Sequence, residues 1–222
     1  MEFFADTANM EELKEMISWG VVDGCTTNPK IILREKGCNF ETRMKEILST
    51  LNGKPVSIEV TTNDTQEMIE EARKYNTWRG NVVVKIPMTE NGLKAVKILG
   101  AEGIKTNVTA IMNKNQAVMA AKAGATYVSI FWGRIEDMGY DAQQVVRETV
   151  EVLERSDIPA KVIVGSFRRV SDITRAISSK AHILTITYEV MKQMISHPRT
   201  DSTIQEFLDF WAEFEKTEST KY

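Results

Sequence analysis

The sequence predicts a (β/α)8 barrel, or TIM barrel, built as one domain with an extra helix at its C-terminal end. Short apolar runs alternate with amphipathic segments, a pattern typical of a parallel sheet with helical crossovers. Eight such units occur, and no region of the chain differs in composition in a way that suggests a second domain. A length of 222 residues is usual for a single-domain barrel. An open dinucleotide-binding sheet is less favoured, because no G-x-G-x-x-G motif follows the first strand.

The predicted strands are short runs rich in apolar and β-branched residues. They are Phe3–Asp6, Val21–Cys25, Val56–Val60, Val82–Ile86, Ile104–Thr109, Tyr127–Phe131, Val162–Ser166 and His182–Thr185. Helices are expected after each strand, for example at Asn9–Ser18, Asp64–Trp78, Gly92–Ala101, Asn115–Ala123 and Ala142–Leu153. Between Met68 and Tyr75, apolar residues recur at spacings of one, three and three, which places them on one face of a helix.

A further helix is predicted after Pro198, over Ser202–Glu215. Its broad apolar stripe consists of Ile204, Phe207, Leu208, Trp211 and Phe214. A barrel is complete without this helix, so the stripe covers either the outside of its own barrel or a neighbouring subunit. The chain therefore divides into a barrel over residues 1–199 and a C-terminal helical segment over residues 200–222.

Composition argues against several classes of function. The net charge is −3 and the 28 basic residues are dispersed, so no electrostatic footprint for nucleic acid is present. No apolar stretch approaches the roughly 18 residues of a membrane span. The two cysteines and two histidines form neither a disulfide framework nor a zinc motif. Because the N-terminus also lacks signal-peptide features, we expect a cytoplasmic protein without metal or cofactor, although carboxylate-bound magnesium stays open.

Lys85 is the most informative residue of the sequence. It lies in Val82–Pro87, a run that otherwise predicts a fully buried strand. Burying a lysine is costly, and burial lowers the pKa of an amine, which then attacks carbonyl groups to form a Schiff base. The alternative is a lysine at the strand end that extends its charge into water.

The carboxyl ends of the other strands carry a set of side chains that point to the same face. Catalytic groups of such barrels project from this end, and residues i and i+2 of a strand share a face. The set is Asp6, Thr26, Asn28, Glu59, Asn107, Thr109, Ser129, Phe131, Ser166 and Arg168. Taken singly, each member is better explained as a cap on the following helix, but the convergence of the whole set on Lys85 favours an active site.

Asp6 and Glu59 are the candidate acid and base, because Schiff-base chemistry moves protons at several steps. We expect Thr109 to hold a water between them. Alternatively, the two carboxylates form salt bridges that keep Lys85 charged. The two interpretations are compatible, because a paired lysine can still lose its proton during turnover.

A phosphate site is predicted after the seventh strand, where barrels of this kind often bind phosphate. Ser166 and Arg168 lie there, and Arg134 offers a second cation after the sixth strand. The planar guanidinium suits bidentate contact with phosphate. The alternative for each arginine is a solvated loop charge.

Four segments together resemble the transaldolase family. They are DGCTTNP at Asp23–Pro29, VKIP at Val84–Pro87, EGIKTNVT at Glu102–Thr109 and AKAGATYVS at Ala121–Ser129. They are most similar to the short-chain subfamily, which also contains the fructose-6-phosphate aldolases. The resemblance extends over essentially the whole chain.

This resemblance implies a class I (Schiff-base) transaldolase of the non-oxidative pentose phosphate pathway. Such an enzyme moves a dihydroxyacetone unit from sedoheptulose 7-phosphate or fructose 6-phosphate to glyceraldehyde 3-phosphate or erythrose 4-phosphate. The matching positions are Lys85 for the Schiff base, Asp6 and Glu59 for acid and base, Thr109 for the water, Asn28, Asn107 and Ser129 for the dihydroxyacetone hydroxyls, Arg134, Ser166 and Arg168 for phosphate, and Thr26 in the site wall. The resemblance also implies a homo-oligomer, a pentamer or decamer, in which the last helix reaches a neighbour.

Four positions distinguish the two branches of this family. The aldolase branch has glutamine where this chain has Glu59 and tyrosine where it has Phe131, and it lacks the pair Asn107 and Ser129. All four positions favour transfer. The remaining alternatives are a fructose-6-phosphate aldolase that releases free dihydroxyacetone and a non-catalytic barrel that binds sugar phosphates.

Overall fold

Eight parallel strands close into a barrel in chain order, and β8 pairs with β1. The strands are β1 (Glu2–Asp6), β2 (Gly24–Thr26), β3 (Val56–Glu59), β4 (Val82–Pro87), β5 (Thr106–Ile111), β6 (Tyr127–Phe131), β7 (Lys161–Gly165) and β8 (Ile183–Ile186). This is a computed structural model that describes residues 1–219, so residues 220–222 of the predicted C-terminal segment lie outside the described residues. The predicted TIM barrel is confirmed.

Helices connect the strands around the outside of the barrel. They are α1 (Met10–Ser18), α2 (Pro29–Arg34), α3 (Phe40–Thr50), α4 (Thr65–Asn76), α5 (Glu90–Ala101), α6 (Lys114–Lys122), α7 (Trp132–Asp137), α8 (Ala142–Arg155), α9 (Val170–Ile177), α10 (Tyr188–Ile195) and α11 (Pro198–Ser219). Asparagine or aspartate side chains cap several N-termini, as Asn9 does for α1 and Asp64 for α4. No helix within residues 1–219 is both long enough and apolar enough to cross a bilayer.

The predicted second strand begins too early. Residues 21–23 are not part of β2, which starts at Gly24. Here the carbonyl of Val22 accepts a hydrogen bond from the Lys54 side chain, at 2.5 Å. No local sequence pattern predicts this contact, because the two residues lie 32 positions apart in the chain.

An apolar layer fills the barrel below its carboxyl end. It consists of Phe4, Tyr127, Val83, Ile163 and Ile183, with the rings of Phe4 and Tyr127 in edge contact at 6.3 Å. Most members stand two residues before a polar side chain of the same strand: Phe4 before Asp6, Val83 before Lys85, Tyr127 before Ser129 and Ile183 before Thr185. Strand alternation therefore places the polar side chains directly above this buried apolar layer.

α11 extends beyond the barrel with its apolar stripe uncovered. It begins at Pro198, so the helix starts two residues before the predicted segment of residues 200–222. The side chains of Ile204, Phe207, Leu208, Trp211 and Phe214 are between 49% and 66% exposed. The barrel of the same chain therefore does not bury this stripe.

Candidate active site

A cavity of about 560 Å³ opens at the carboxyl end of the barrel. Of the predicted site residues, those that line it are Asp6, Thr26, Asn28, Glu59, Lys85, Ser129, Phe131, Arg134 and Ser166. Asn107, Thr109 and Arg168 do not line it. The structure thus brings together most of the predicted set and places three members behind or beside the wall.

Lys85 lines the cavity and is 5% exposed. Its Nζ lies 3.0 Å from Glu59 Oε2 and donates to the carbonyl oxygen of Thr27 at 3.1 Å. The register between β3 and β4 pairs Glu59 directly with Lys85. An ammonium has three N–H groups, so these two contacts leave one for a substrate.

Asp6 is a further ionisable group of the cavity wall, after Lys85 and Glu59. Thr26 Oγ1 donates to its Oδ1 at 2.8 Å, and strand register sets the two residues side by side. Removal from water raises the pKa of the Asp6 carboxyl above its ordinary value, and the positive charge of Lys85 and the Thr26 hydrogen bond oppose this only in part. A carboxyl with a raised pKa is suited to exchanging protons near neutral pH.

Asn107 and Ser129 form a buried hydrogen-bonded pair. The Ser129 hydroxyl donates to Asn107 Oδ1 at 2.8 Å, and Asn107 Nδ2 donates to Ser57 Oγ at 3.0 Å. Asn107 is fully buried and is paired in register with Lys85 across β4 and β5. Asn107 thus orients Ser129, which lines the cavity and whose hydroxyl oxygen can still accept a hydrogen bond.

Thr109 lies at an irregularity of β5. The register between β5 and β6 shifts between Val108 and Ile111, and Ala110 takes a positive φ of 61°. The Thr109 side chain is buried, yet its hydroxyl has no hydrogen-bond partner among the described residues. A buried hydroxyl without a protein partner is a suitable place for a bound water.

Arg134 and Ser166 stand on the opposite side of the cavity. The Ser166 carbonyl accepts from Gly133 N at 3.1 Å, and Ser166 takes a positive φ of 65°. A Cβ on Gly133 would lie 2.3 Å from that carbonyl oxygen, so this close approach requires glycine. The Arg134 guanidinium lies 5.7 Å from the ring of Phe131, and no carboxylate in the described part of the chain pairs with it.

Arg168 is engaged elsewhere. Its guanidinium forms two hydrogen bonds to the Asp137 carboxylate, one of 2.6 Å and one shorter, and its side chain is 58% exposed. It therefore neither lines the cavity nor has a free charge. The sequence signal for this arginine was its place after β7, which carries no information about a partner 31 residues away.

Asn28 has a structural contact as well as a place in the wall. Its Oδ1 accepts from Ile31 N at 3.0 Å and so caps α2. This is the helix-capping role that we considered for every strand-end residue. The amide nitrogen of Asn28 remains available to another acceptor.

Several residues of the site were not predicted from the sequence. Thr185 lines the cavity, and its Oγ1 lies 2.5 Å from Thr26 Oγ1. It ends a predicted strand, so the same period-two rule that identified Asp6 would have found it. Lys30 and Arg34 of α2 also line the cavity, but no local pattern predicts that this short helix turns toward the barrel mouth. Within the described residues, no three His, Cys, Asp or Glu side chains come together as a metal site.

The chain is similar to known proteins over nearly its whole length. Residues 3–221 match the family model described as Transaldolase/Fructose-6-phosphate aldolase. Similar curated proteins include those named "Probable transaldolase" in Streptococcus pyogenes serotype M5 (strain Manfredo), serotype M49 (strain NZ131) and serotype M1. Each is 48% identical over 216 residues, which cover 97% of this chain and 100% of the relative. The chain therefore belongs to the transaldolase/fructose-6-phosphate aldolase family.

Proposed function

We propose that the protein is a transaldolase that transfers a dihydroxyacetone unit through a Schiff base on Lys85. The observation that carries the proposal is the buried Lys85, 3.0 Å from the Glu59 carboxylate in a cavity that also contains Asp6. The donors are sedoheptulose 7-phosphate or fructose 6-phosphate, and the acceptors are glyceraldehyde 3-phosphate or erythrose 4-phosphate. These reactions belong to the non-oxidative pentose phosphate pathway.

The first step needs a neutral amine. Lys85 gives a proton to Glu59, and the amine attacks the C2 carbonyl of the ketose. The carbinolamine loses its hydroxyl as water, which leaves a protonated imine on Nζ. A water held by the unpartnered hydroxyl of Thr109 carries the protons between Glu59 and the reacting oxygen.

Bond cleavage follows at C3–C4 of the donor. Asp6, in its ionised form, takes the proton of the C4 hydroxyl, the aldehyde leaves, and the electron pair moves into an enamine conjugated with Nζ. The enamine carbon then attacks the acceptor aldehyde, and Asp6 returns its proton to the new alkoxide. Water releases the product ketose, so the water lost in forming the imine is regained.

The contacts of the wall support a place for each end of the substrate. Ser129, oriented by Asn107, and Asn28 accept and donate to the hydroxyls of the three-carbon unit. Thr26 lines the same side and bonds Asp6. Arg134 and Ser166 bind the phosphate, and Arg168 joins them only when a phosphate competes with Asp137 for its guanidinium.

Transfer is favoured over free aldol cleavage because the wall offers little to protonate the enamine. Phe131 lines the cavity and has no hydroxyl to deliver a proton or to hold a second water. Glu59 has returned its proton when the carbinolamine loses water, so it is ionised at the enamine stage, and an ionised carboxylate is a poor proton donor. The alternative, an aldolase that releases free dihydroxyacetone, has the same Schiff base and differs only at this point.

Borohydride trapping with fructose 6-phosphate tests the proposal. We expect a covalent adduct that maps to Lys85 and that Lys85→Met abolishes while the fold remains. Lys30→Met is the matched control, because it removes a second lysine of the cavity wall and leaves the adduct in place. An adduct on another lysine, or none, contradicts the Schiff-base assignment. A coupled assay with and without erythrose 4-phosphate then separates transfer from release.

The assembly is proposed on the C-terminal helix. The stripe of α11, at least 49% exposed at each apolar position, packs on a neighbouring subunit in a pentamer or decamer. We further propose that the enzyme is cytoplasmic, where sugar phosphates occur and where the two free cysteines, Cys25 and Cys38, remain reduced.

A further inference from the structure

We infer that Thr185 is a positioning residue for Asp6, acting through the hydroxyl of Thr26. Three side chains from β8, β2 and β1 form a continuous chain: Thr185 Oγ1 lies 2.5 Å from Thr26 Oγ1, which donates to Asp6 Oδ1 at 2.8 Å. The inference rests on the proposed function, in which Asp6 exchanges a proton with the substrate. It assigns a role to a residue whose hydrogen bond goes to Thr26 and not to Asp6 itself.

The direction of the chain follows from counting protons. The Thr26 hydroxyl has one proton, and an ionised Asp6 can only accept. The proton between Thr26 and Thr185 must therefore come from Thr185. Thr185 donates to Thr26 and Thr26 donates to Asp6, so each bond polarises the next and favours the ionised carboxylate.

The methyl group of Thr185 fixes the direction of its hydroxyl. A Cβ on Gly165 would lie 2.6 Å from Thr185 Cγ2, so the methyl occupies the space that the missing side chain leaves on β7. Threonine carries both groups on one stiff Cβ, and a methyl held against Gly165 leaves the hydroxyl facing Thr26. Thr185 is 8% exposed and Thr26 is 2% exposed, so bulk water does not replace either partner.

The other charged or titratable groups around Asp6 stay the same when Thr185 is changed. They are the ammonium of Lys85 on β4, the guanidinium of Arg34 on α2, the carboxylate of Glu59 on β3 and the thiol of Cys25 on β2. Thr185, from β8, contributes a dipole and no charge. A shift in the titration of Asp6 after substitution of Thr185 is therefore assigned to the hydroxyl chain.

The test is the pH profile of Thr185→Val against Thr185→Ser. In Thr185→Val, we expect the acidic limb of the pH profile of kcat to shift to higher pH by about half a unit. We also expect kcat to fall about tenfold, while KM stays within about twofold of the wild-type value. Thr185→Ser keeps the hydroxyl but lacks the methyl that directs it, so its acidic limb is expected to lie between those of the wild type and Thr185→Val. Thr106→Val is the matched control, because Thr106 is a fully buried strand threonine whose hydroxyl has no partner among the described residues.

A measurement independent of turnover separates this inference from the proposed function. The Asp6 carboxyl, assigned by 13C NMR from the signal that Asp6→Asn removes, is expected to titrate at higher pH in Thr185→Val than in the wild type. Gly165→Ala displaces the Thr185 methyl and is expected to shift the Asp6 titration in the same direction. This variant replaces Thr185→Val in the test if Thr185→Val does not fold. An unchanged Asp6 titration in a folded variant overturns the role of Thr185, whether or not the wild type transfers dihydroxyacetone. Absence of transfer with a shifted titration overturns only the proposed function.

Discussion

The Lys85 ammonium and the Glu59 carboxylate lie 3.0 Å apart on neighbouring strands whose register pairs the two residues directly. The ion pair that we considered as an alternative to catalysis is therefore present. It does not remove the chemistry, because the same carboxylate that stabilises the charged lysine is the nearest acceptor for its proton. Glu59 remains partly exposed, with 21% of its side chain accessible, so protons can leave the pair through the cavity.

The first prediction concerns the fate of the enamine. Phe131→Tyr adds a hydroxyl to the cavity wall, and Glu59→Gln removes the charge beside Lys85. We expect Phe131→Tyr to raise the release of free dihydroxyacetone relative to transfer, and the double variant to raise it further. The ratio is measured by following fructose 6-phosphate with and without erythrose 4-phosphate. The explanation fails if the wild type already releases dihydroxyacetone as fast as it transfers it.

A second prediction separates the two arginines of the proposed phosphate site. Arg134→Ala is expected to raise KM for fructose 6-phosphate roughly tenfold to a hundredfold, the equivalent of a lost charge-assisted contact of about 1.5–3 kcal/mol. Arg168→Ala is expected to have a smaller effect, because Asp137 already holds this guanidinium. Fructose in place of fructose 6-phosphate is the control substrate, and Arg134→Ala should change its kinetics little. Equal losses with both substrates indicate that Arg134 acts structurally.

Asp137→Asn completes that comparison. The variant replaces the carboxylate that pairs with the Arg168 guanidinium by a neutral amide, so the charge of Arg168 is no longer neutralised. We expect KM for phosphorylated sugars to fall or stay constant in Asp137→Asn. A rise in KM instead shows that Asp137 places Arg168 correctly for the substrate.

A third prediction follows from the raised pKa of Asp6. Because the carboxyl binds its proton more tightly in the folded protein, the free energy of unfolding falls as pH rises above the ordinary value of 3.8 and levels off above the folded-state pKa. Asp6→Asn cannot ionise. Its stability relative to the wild type is therefore expected to increase from pH 4 toward neutral pH, as measured by urea unfolding at each pH. A difference that is constant across this range contradicts the raised pKa.

The fourth prediction concerns assembly. Ending the chain after His197 removes α11 and is expected to lower the oligomeric state, measured by light scattering, while circular dichroism shows a folded barrel. The paired substitution Phe207→Glu with Trp211→Glu puts charge into the stripe and should have the same effect. Gln205→Glu adds charge outside the stripe and is the control. If the truncated chain keeps the wild-type mass, α11 is not the contact between subunits.

The sequence by itself determined the barrel and the central residues of the site. Alternation with period two is a local property of each strand, so it identifies Asp6, Glu59 and Lys85 on the inner face without knowledge of neighbouring strands. The same rule extends to Thr185, which was not among the predicted site residues although its strand was predicted. The extra apolar stripe of α11 is likewise a local pattern, visible in the spacing of its residues.

The tertiary structure alone decided which of these groups touch. From the sequence, Arg168 is predicted to be a free cation, but in the structure it pairs with Asp137, 31 residues away. Asn107 is predicted to line the cavity, but its hydrogen bonds to Ser57 and Ser129 place it behind the wall. The contact between Thr185 and Thr26 joins residues 159 positions apart and exists only because β8 closes on β1. Such contacts depend on the register of the strands and on the closure of the barrel. Both are set by all eight strands together, so no local pattern of residues specifies them.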